Sequence, residues 1–399
     1  MLHRLRKLFT KDPLNIRDLP WSTYTHAYGP ASDVPDQVLA LLSSDKKQRV
    51  KALGDLFFNI YHQGSIYQAT QHAVPFLLRI AANPQAQDRH EVLSLLSSIA
   101  RGGSWHDAHQ HLSMLKDKAQ TAEYQAKLNK ELDHVAATRA AVIAGLPTFT
   151  QLLADPDPNV RDAAAYAIAS LGAEATSAIP ALTARAESEP DDEACASAIY
   201  ALSALKIPAE SIKHFRDAGL RGPAITLALN LADIVAGQDN APSAAIDAAF
   251  AALANPPQLK RSTSLWYEGN IQAIIIGRLY ALPPSILEPR IPQLIDLLAG
   301  EAKFTSTRLI QLLTLLLFPP PKRTSWDPAS LTPLQRRFII ATFDSGRVFK
   351  VFQGHKTIFV NAAEMLDPCG LPSNYEKFEA LADQCRKFGP AQNPTNSPP

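Results

Sequence analysis

The stretch from Ala141 to Leu205 writes the same helical hairpin twice, and this constrains the fold more than any other feature of the 399-residue chain. Asp157-Pro158-Asn159-Val160-Arg161 opens one second helix and Asp191-Asp192-Glu193-Ala194-Cys195 opens the next, 34 residues on. Tyr166, Ala167 and Leu171 recur as Tyr200, Ala201 and Leu205. A period of this length means supersecondary units stacked in series rather than one closed globule.

Each unit follows from residue patterns. Leu146, Phe149, Leu152 and Leu153 keep three- to four-residue spacing, one stripe of a helix that ends at Asp155-Pro156. Asp157 then offers its carboxylate to the free amides of a new helix, and Pro158 takes the first helical position, where no donor is lost. Val160, Ala164, Ala167, Ile168 and Leu171 form the next stripe, and Gly172 ends it. Two helices cannot bury such stripes alone, so further copies are expected. Val38 to Leu42 with Asp45 to Leu56 reads as one. Val74 to Ile80 with Asp88 to Ile99 reads as another, with Asp88 and Glu91 placed for reciprocal capping.

The text from Leu152 to Ala164 resembles a HEAT repeat, of the subtype named after phycobilisome lyases. Trp21, His26 to Ala31, His62 to Thr70 and Ala73 to Leu77 resemble a group of bacterial HEAT-repeat proteins. The resemblance spans most of residues 20 to 386 and implies an all-α fold: a right-handed α-solenoid of stacked antiparallel helix pairs, of HEAT-like or armadillo type. It also implies a scaffold that binds partners. Arg161 is similar to the HEAT-motif arginine that bonds an acid of the preceding turn, with Asp157 or an equivalent as its expected partner. The lyase activity in the subtype's name has no residue here to support it.

Composition fits a soluble helical protein. With 39 basic and 38 acidic side chains, no global field draws the chain to nucleic acid or acidic lipid. Cys195, Cys369 and Cys385 lack metal spacing and are odd in number, which points to a reducing compartment. No apolar run is long enough to span a membrane, and residues 1 to 9 lack the apolar core of a secretory leader. A cytoplasmic location is expected.

Residues 1 to 20 read as a basic lead, 21 to 386 as the solenoid and 387 to 399 as a disordered Pro/Asn/Ser tail. The stretch from about 102 to 137 departs from the period. It reads as a loop and an extra helix inserted between repeats, with Leu128, Leu132, Val135 and Ala136 on one stripe. Insertions of this kind often project from one face. Helices follow over Pro223 to Ala236, Ser243 to Ala254, Ile271 to Leu282, Ile291 to Leu298 and Thr307 to Leu316. Thr332 to Gln335 and Ser373 to Glu376 read as capping boxes, and Val348 to Phe359 alternates enough for a short hairpin.

His26, Tyr28, His62, Gln63, Tyr67, Thr70 and His72 are the strongest binding candidates, because polar tips on aromatic bodies suit recognition surfaces. Their structural reading is that Gly64 turns the chain, Ser65 caps the next helix and the polar groups satisfy buried backbone. His106, His109 and His111 fall short of a metal set, and a solvated loop accounts for them. Trp105, Trp266, Tyr267, Glu268 and Trp326 are aromatic-ridge candidates that core packing also explains. Two basic clusters, Lys46, Lys47, Arg49 and Lys51, and Arg336, Arg337, Arg347 and Lys350, are the sole basis for nucleic-acid binding.

No phosphate loop, nucleophile elbow or His-Glu-x-x-His helix occurs, so the expectation is a protein without catalytic residues, metal or cofactor. The leading reading is a protein-binding scaffold using a concave surface, as an immunity or regulatory protein that sequesters a toxin or enzyme. Nucleic-acid binding is the alternative.

Overall fold

The computed structural model describes residues 12–110, 115, 117–220, 222–259, 271–299, 306–319, 326–346, 349–352, 355–358 and 366–388. The chain divides into two units, the first running to Ala232 and the second built mainly from residues 233–258 and 271–388.

In the first unit, helix pairs follow one another as the repeat predicts. Val34–Ala40 (α1) pairs with Lys46–Asn59 (α2), and Gln68–Ala82 (α3) with Arg89–Ala100 (α4). Trp105–His109 (α5) and the long Ala122–Ile143 (α6) come next. Leu146–Leu152 (α7) then pairs with Pro158–Leu171 (α8), and Ile179–Ser188 (α9) with Asp192–Ala204 (α10); Ala209–Asp217 (α11) and Pro223–Gly237 (α12) follow. The second helices α2, α4, α8 and α10 pack in succession, so α4 meets α8 directly although α5 and α6 lie between them in sequence. The inserted segment is thus looped out of the repeat order. It does not project, however: α6 packs along α3 and α4, burying Leu128 while Leu132 stays 42% exposed.

Capping residues set the register of these pairs. The side chains of Asp45, Asp157 and Asp191 each accept from backbone amides two or three residues on. Gly172 leaves α8 at φ 59°, a conformation that costs a residue with a Cβ. Tyr166 and Tyr200, the repeated pair, stack with centroids 6.4 Å apart. Asp88 departs from expectation. It stands at φ 52° and caps nothing with its side chain, because Arg49 of the preceding repeat takes the carboxylate at 2.8 Å.

That contact belongs to a series. Arg49 Nη1 donates to the carbonyls of Ser43 and Ser44 while its Nε reaches Asp88. Arg161 does the same one level on: Nη1 donates to the carbonyls of Asp155 and Pro156, and Nε and Nη2 fork onto Glu189 at 2.7 and 2.5 Å. Arg89 joins the levels between them, donating to both oxygens of Asp155 at 2.7 and 2.9 Å. Asp155 and Glu189 each also accept the amide of the capping aspartate two residues on. Arg161 therefore pairs with an acid of the following repeat and not with Asp157, which is occupied in capping its own helix.

The packed region reaches back beyond the expected boundary at residue 21. Leu14 and Ile16 are buried, Trp21 donates to the Ile16 carbonyl at 2.6 Å, and Arg79 of α3 donates to the Leu14 carbonyl at 2.7 Å.

In the second unit, Ser243–Ala254 (α13), Ile271–Leu279 (α14), the short Pro284–Leu287 (α15), Ile291–Ala299 (α16), Ser306–Leu317 (α17), Pro333–Asp344 (α18) and Tyr375–Arg386 (α19) pack mostly on chain neighbours. Thr332 and Gln335 form the expected capping box. The last helix is instead capped by Asn374, whose side chain accepts from the Lys377 amide, so Ser373 is not the cap. Phe349–Phe352 (β5) and His355–Ile358 (β6) pair antiparallel, the short hairpin that the alternation from Val348 to Phe359 allows but does not decide. The core of both units is mostly aliphatic, with Phe149, Phe215, Phe338 and Phe378 as its largest fully buried side chains, and the fold is an all-α solenoid of helix pairs.

Candidate binding surface

Two short hairpins bring the sequence candidates together at the ends of the first helix pairs. Thr25–His26 (β1) pairs with Gly29–Pro30 (β2), and Tyr61–His62 (β3) with Ser65–Ile66 (β4). The second hairpin turns on Gln63 and Gly64, at φ 51° and 90°, the two left-handed positions a two-residue turn of this hand requires. Glycine takes its place without strain, whereas Gln63 is held there by the pairing on either side. The first hairpin is fixed to α2 by the Ala27 amide, which donates to the Asn59 carbonyl at 3.0 Å. The second is fixed to the start of α5 through Gly103, which donates to Gly64 and accepts from Ile66.

The candidates divide by burial. Thr70 is structural: its hydroxyl donates to the Ile60 carbonyl at 2.6 Å and accepts from the Tyr67 amide. Tyr67, not Ser65, is the capping residue of α3, and Ser65 is buried within β4. Gln63 serves the turn. His26 is buried, its Nδ1 accepting from the Tyr28 amide at 3.0 Å and its Nε2 lying 3.0 Å from Asp33. An Nδ1 that accepts carries no proton, so the ring is neutral and Nε2–H donates to the carboxylate. His72 stacks flat on Tyr24, with centroids 3.9 Å apart and planes 9° apart.

Tyr28 and His62 reach the surface. Tyr28 is 64% exposed, and its hydroxyl meets His62 Nδ1 at 3.3 Å with the rings edge to face. Phe58, which sequence reasoning missed, is 61% exposed and lies 6.2 Å from the His62 ring. Its only signal was an apolar residue off the buried stripe of α2. Three rings from two hairpin loops and a helix end thus share one exposed patch.

The surface continues toward the insertion. Glu131 of α6 accepts from His106 Nδ1 at 2.8 Å, from the His106 amide at 2.9 Å and from the Ser104 hydroxyl at 2.6 Å. Tyr124 donates to the His106 carbonyl, and His109 stacks on Trp105, itself 39% exposed. His106 and His109 are therefore spent on a carboxylate and on a backbone carbonyl. Among the described residues no group of three or more histidine, cysteine or acidic side chains is placed for a metal, and His111 lies outside them.

Charge states follow the burial. Desolvation opposes ionisation of Glu131, but the amide and side chain of His106 and the Ser104 hydroxyl outweigh it and hold the carboxyl below the ordinary glutamate value. Burial raises the Tyr67 phenol, with Glu131 and Tyr28 adding to the shift and a hydrogen bond to Ser65 opposing it. Burial lowers His72, helped by His134, and lowers His134, helped by Lys130 against the pull of Asp133 and Glu131.

These shifts carry a sign. The unfolded chain takes up protons on His72 and His134 near the ordinary value of 6.5, while the folded chain resists until a lower pH. Between those two values the unfolded state binds more protons, so stability falls as pH falls; Glu131 adds a further loss at lower pH as it titrates. The melting temperature is expected to drop between pH 7 and pH 5, and His72→Gln should flatten that dependence. An unchanged slope in His72→Gln would exclude His72 as a source.

The remaining candidates resolve as follows. Trp326 is fixed, donating to the Cys369 carbonyl at 2.7 Å and packing edge-on to Phe318. Trp266, Tyr267, Glu268 and Arg347 lie outside the described residues. In the basic clusters Arg49 is buried against Asp88, Lys51 pairs with Asp55, Arg337 pairs with Asp296, and Arg336 donates to backbone and lies over Phe388. Lys46 and Lys47 are exposed. The two clusters fall in different units.

Comparison with known proteins adds a family likeness. Residues 112–203 match the model for HEAT repeats, which supports a HEAT-like repeat protein. The match starts inside the inserted segment and covers both copies of the 34-residue unit. Among solved structures, the crystal structure of an engineered protein aligns with 88% of this chain and 92% of its own at 18% identity, with a TM-score of 0.29. No curated protein matches the chain. Among the described residues, no helix is long and apolar enough to cross a membrane.

Proposed function

We propose that this protein is a non-enzymatic helical-repeat scaffold that binds a protein partner through the patch of Tyr28, Phe58 and His62. HEAT repeats generally serve protein interaction, and stacking units in series leaves each one free to present its loops. The observation that carries the reading is the pair of large rings, Tyr28 and Phe58, left more than half exposed on either side of His62. Aromatic side chains offer large contact area at low entropic cost and dominate interface energetics. The patch lies at the hairpins that link helix pairs. Holding an enzyme or toxin inactive, as an immunity or regulatory protein, is the form of binding that suits such a scaffold.

The test is affinity capture from the native host with wild-type chain and with the Tyr28→Ala/Phe58→Ala variant. Wild type is expected to retain one stoichiometric protein through a high-salt wash, and the variant to retain about tenfold less. Recovery of nucleic acid alone, lost as salt rises, would replace this reading with the phosphate-binding one.

A further inference from the structure

We infer that the patch recognises a cation, the guanidinium of an arginine side chain on the partner, held between the aromatic rings and the carboxylate of Asp33; the inference rests on the protein-binding reading above. Asp33 is tied to the Tyr28 backbone through His26, which binds its carboxylate on one side and the Tyr28 amide on the other, and to the residue after Phe58 through Asn59. Its donors among the described residues are His26 Nε2 at 3.0 Å, Gln37 Nε2 at 2.7 Å and Asn59 Nδ2 at 2.9 Å. All three are neutral, since the imidazole is fixed as the Nε2–H tautomer by the bond its Nδ1 accepts. No lysine or arginine among the described residues meets this carboxylate, and its side chain is 51% exposed. Nearby acids differ: Asp36 is neutralised by Arg17 at 2.6 Å and Asp55 by Lys51.

The rings supply the second half of the site. Tyr28 stands at 74° to His62 and Phe58 at 40° to it, and aromatic faces carry negative quadrupole density. A cation over such faces gains attraction that an apolar group does not. Arginine fits both halves, because its planar guanidinium stacks on a ring while its edge donates in a fork to a carboxylate. An acidic partner would instead face an unneutralised Asp33.

The probe is a capped peptide with one arginine between glycines, titrated against the full chain and followed by NMR line positions. The controls are the same peptide with citrulline, which keeps the planar shape but exchanges one NH2 group for a carbonyl oxygen and loses the charge, and the variants Tyr28→Ala/Phe58→Ala and Asp33→Asn. The arginine peptide is expected to bind in the millimolar range, the citrulline peptide about tenfold more weakly, and each variant about tenfold more weakly with its melting temperature preserved. Asparagine keeps one of the two acceptor oxygens, that for His26 or that shared by Gln37 and Asn59, so the melting temperature of Asp33→Asn separates loss of charge from loss of fold. Equal binding of citrulline and arginine, or binding indifferent to both variants, overturns the inference. If capture from the host depends on Tyr28 and Phe58 while the arginine peptide fails to bind, the protein-binding function stands and only the cation is refuted.

Discussion

Arg161→Met is expected to destabilise the first unit by about 3–5 kcal/mol, the range for breaking a buried ion pair from one side. The Glu189 side chain is 0% exposed, and the Arg161 fork supplies its two shortest contacts. That carboxylate raises the guanidinium above its ordinary value, against the opposing cost of burial. With Arg161 gone, Glu189 keeps the Asp191 amide and a longer 3.6 Å approach from Arg185, too little for an ionised group out of water. The Asp155 and Pro156 carbonyls lose their donor as well. Urea unfolding followed by circular dichroism measures the loss. Adding Glu189→Leu should recover much of it, because an apolar pair of similar volume leaves no stranded charge. A single variant within about 1 kcal/mol of wild type would show that the pair contributes little.

Phe149→Ala should cost a similar amount, about 3–5 kcal/mol, by a different route. Phe149 on α7 is fully buried and belongs to the stripe that α7 turns toward α8. Truncation removes the ring's transfer free energy and leaves a void that neighbouring helices fill only in part. Phe149→Leu should lose markedly less, since much of the volume remains. Equal losses in the alanine and leucine variants would argue against a cavity as the cause. In a stacked array both substitutions should weaken the adjoining pairs too, because each repeat is covered by its neighbours.

The features legible in the sequence share one property, that their cause lies within a turn or two of chain. Asp157 and Asp191 cap because the free amides are two or three residues away, and the stripe of α8 buries because helical spacing puts it on one face. The alternation from Val348 to Phe359 is a local signal too, but it only allows the hairpin of β5 and β6. Local rules failed where a distant group competed. Asp88 has the pattern of a cap, yet Arg49, 39 residues earlier, holds its carboxylate. For Arg161 the expected partner is an acid of the preceding turn, Asp157 or an equivalent, yet it reaches one 28 residues later, where the next repeat stacks.

The binding surface divides in the same way. Sequence singled out His26, Tyr28, His62, Tyr67 and His72 as residue types suited to recognition, and it placed the turn at Gly64. Only the tertiary structure set Tyr28 against His62, 34 residues apart, added Phe58 and buried His26 against Asp33. Periodicity and capping determine that this chain forms stacked helix pairs, because those signals act through the backbone nearby. Which side chains meet across the pairs depends on how closely the helices stack. That is settled by burial summed over many residues, a quantity no short stretch of sequence contains.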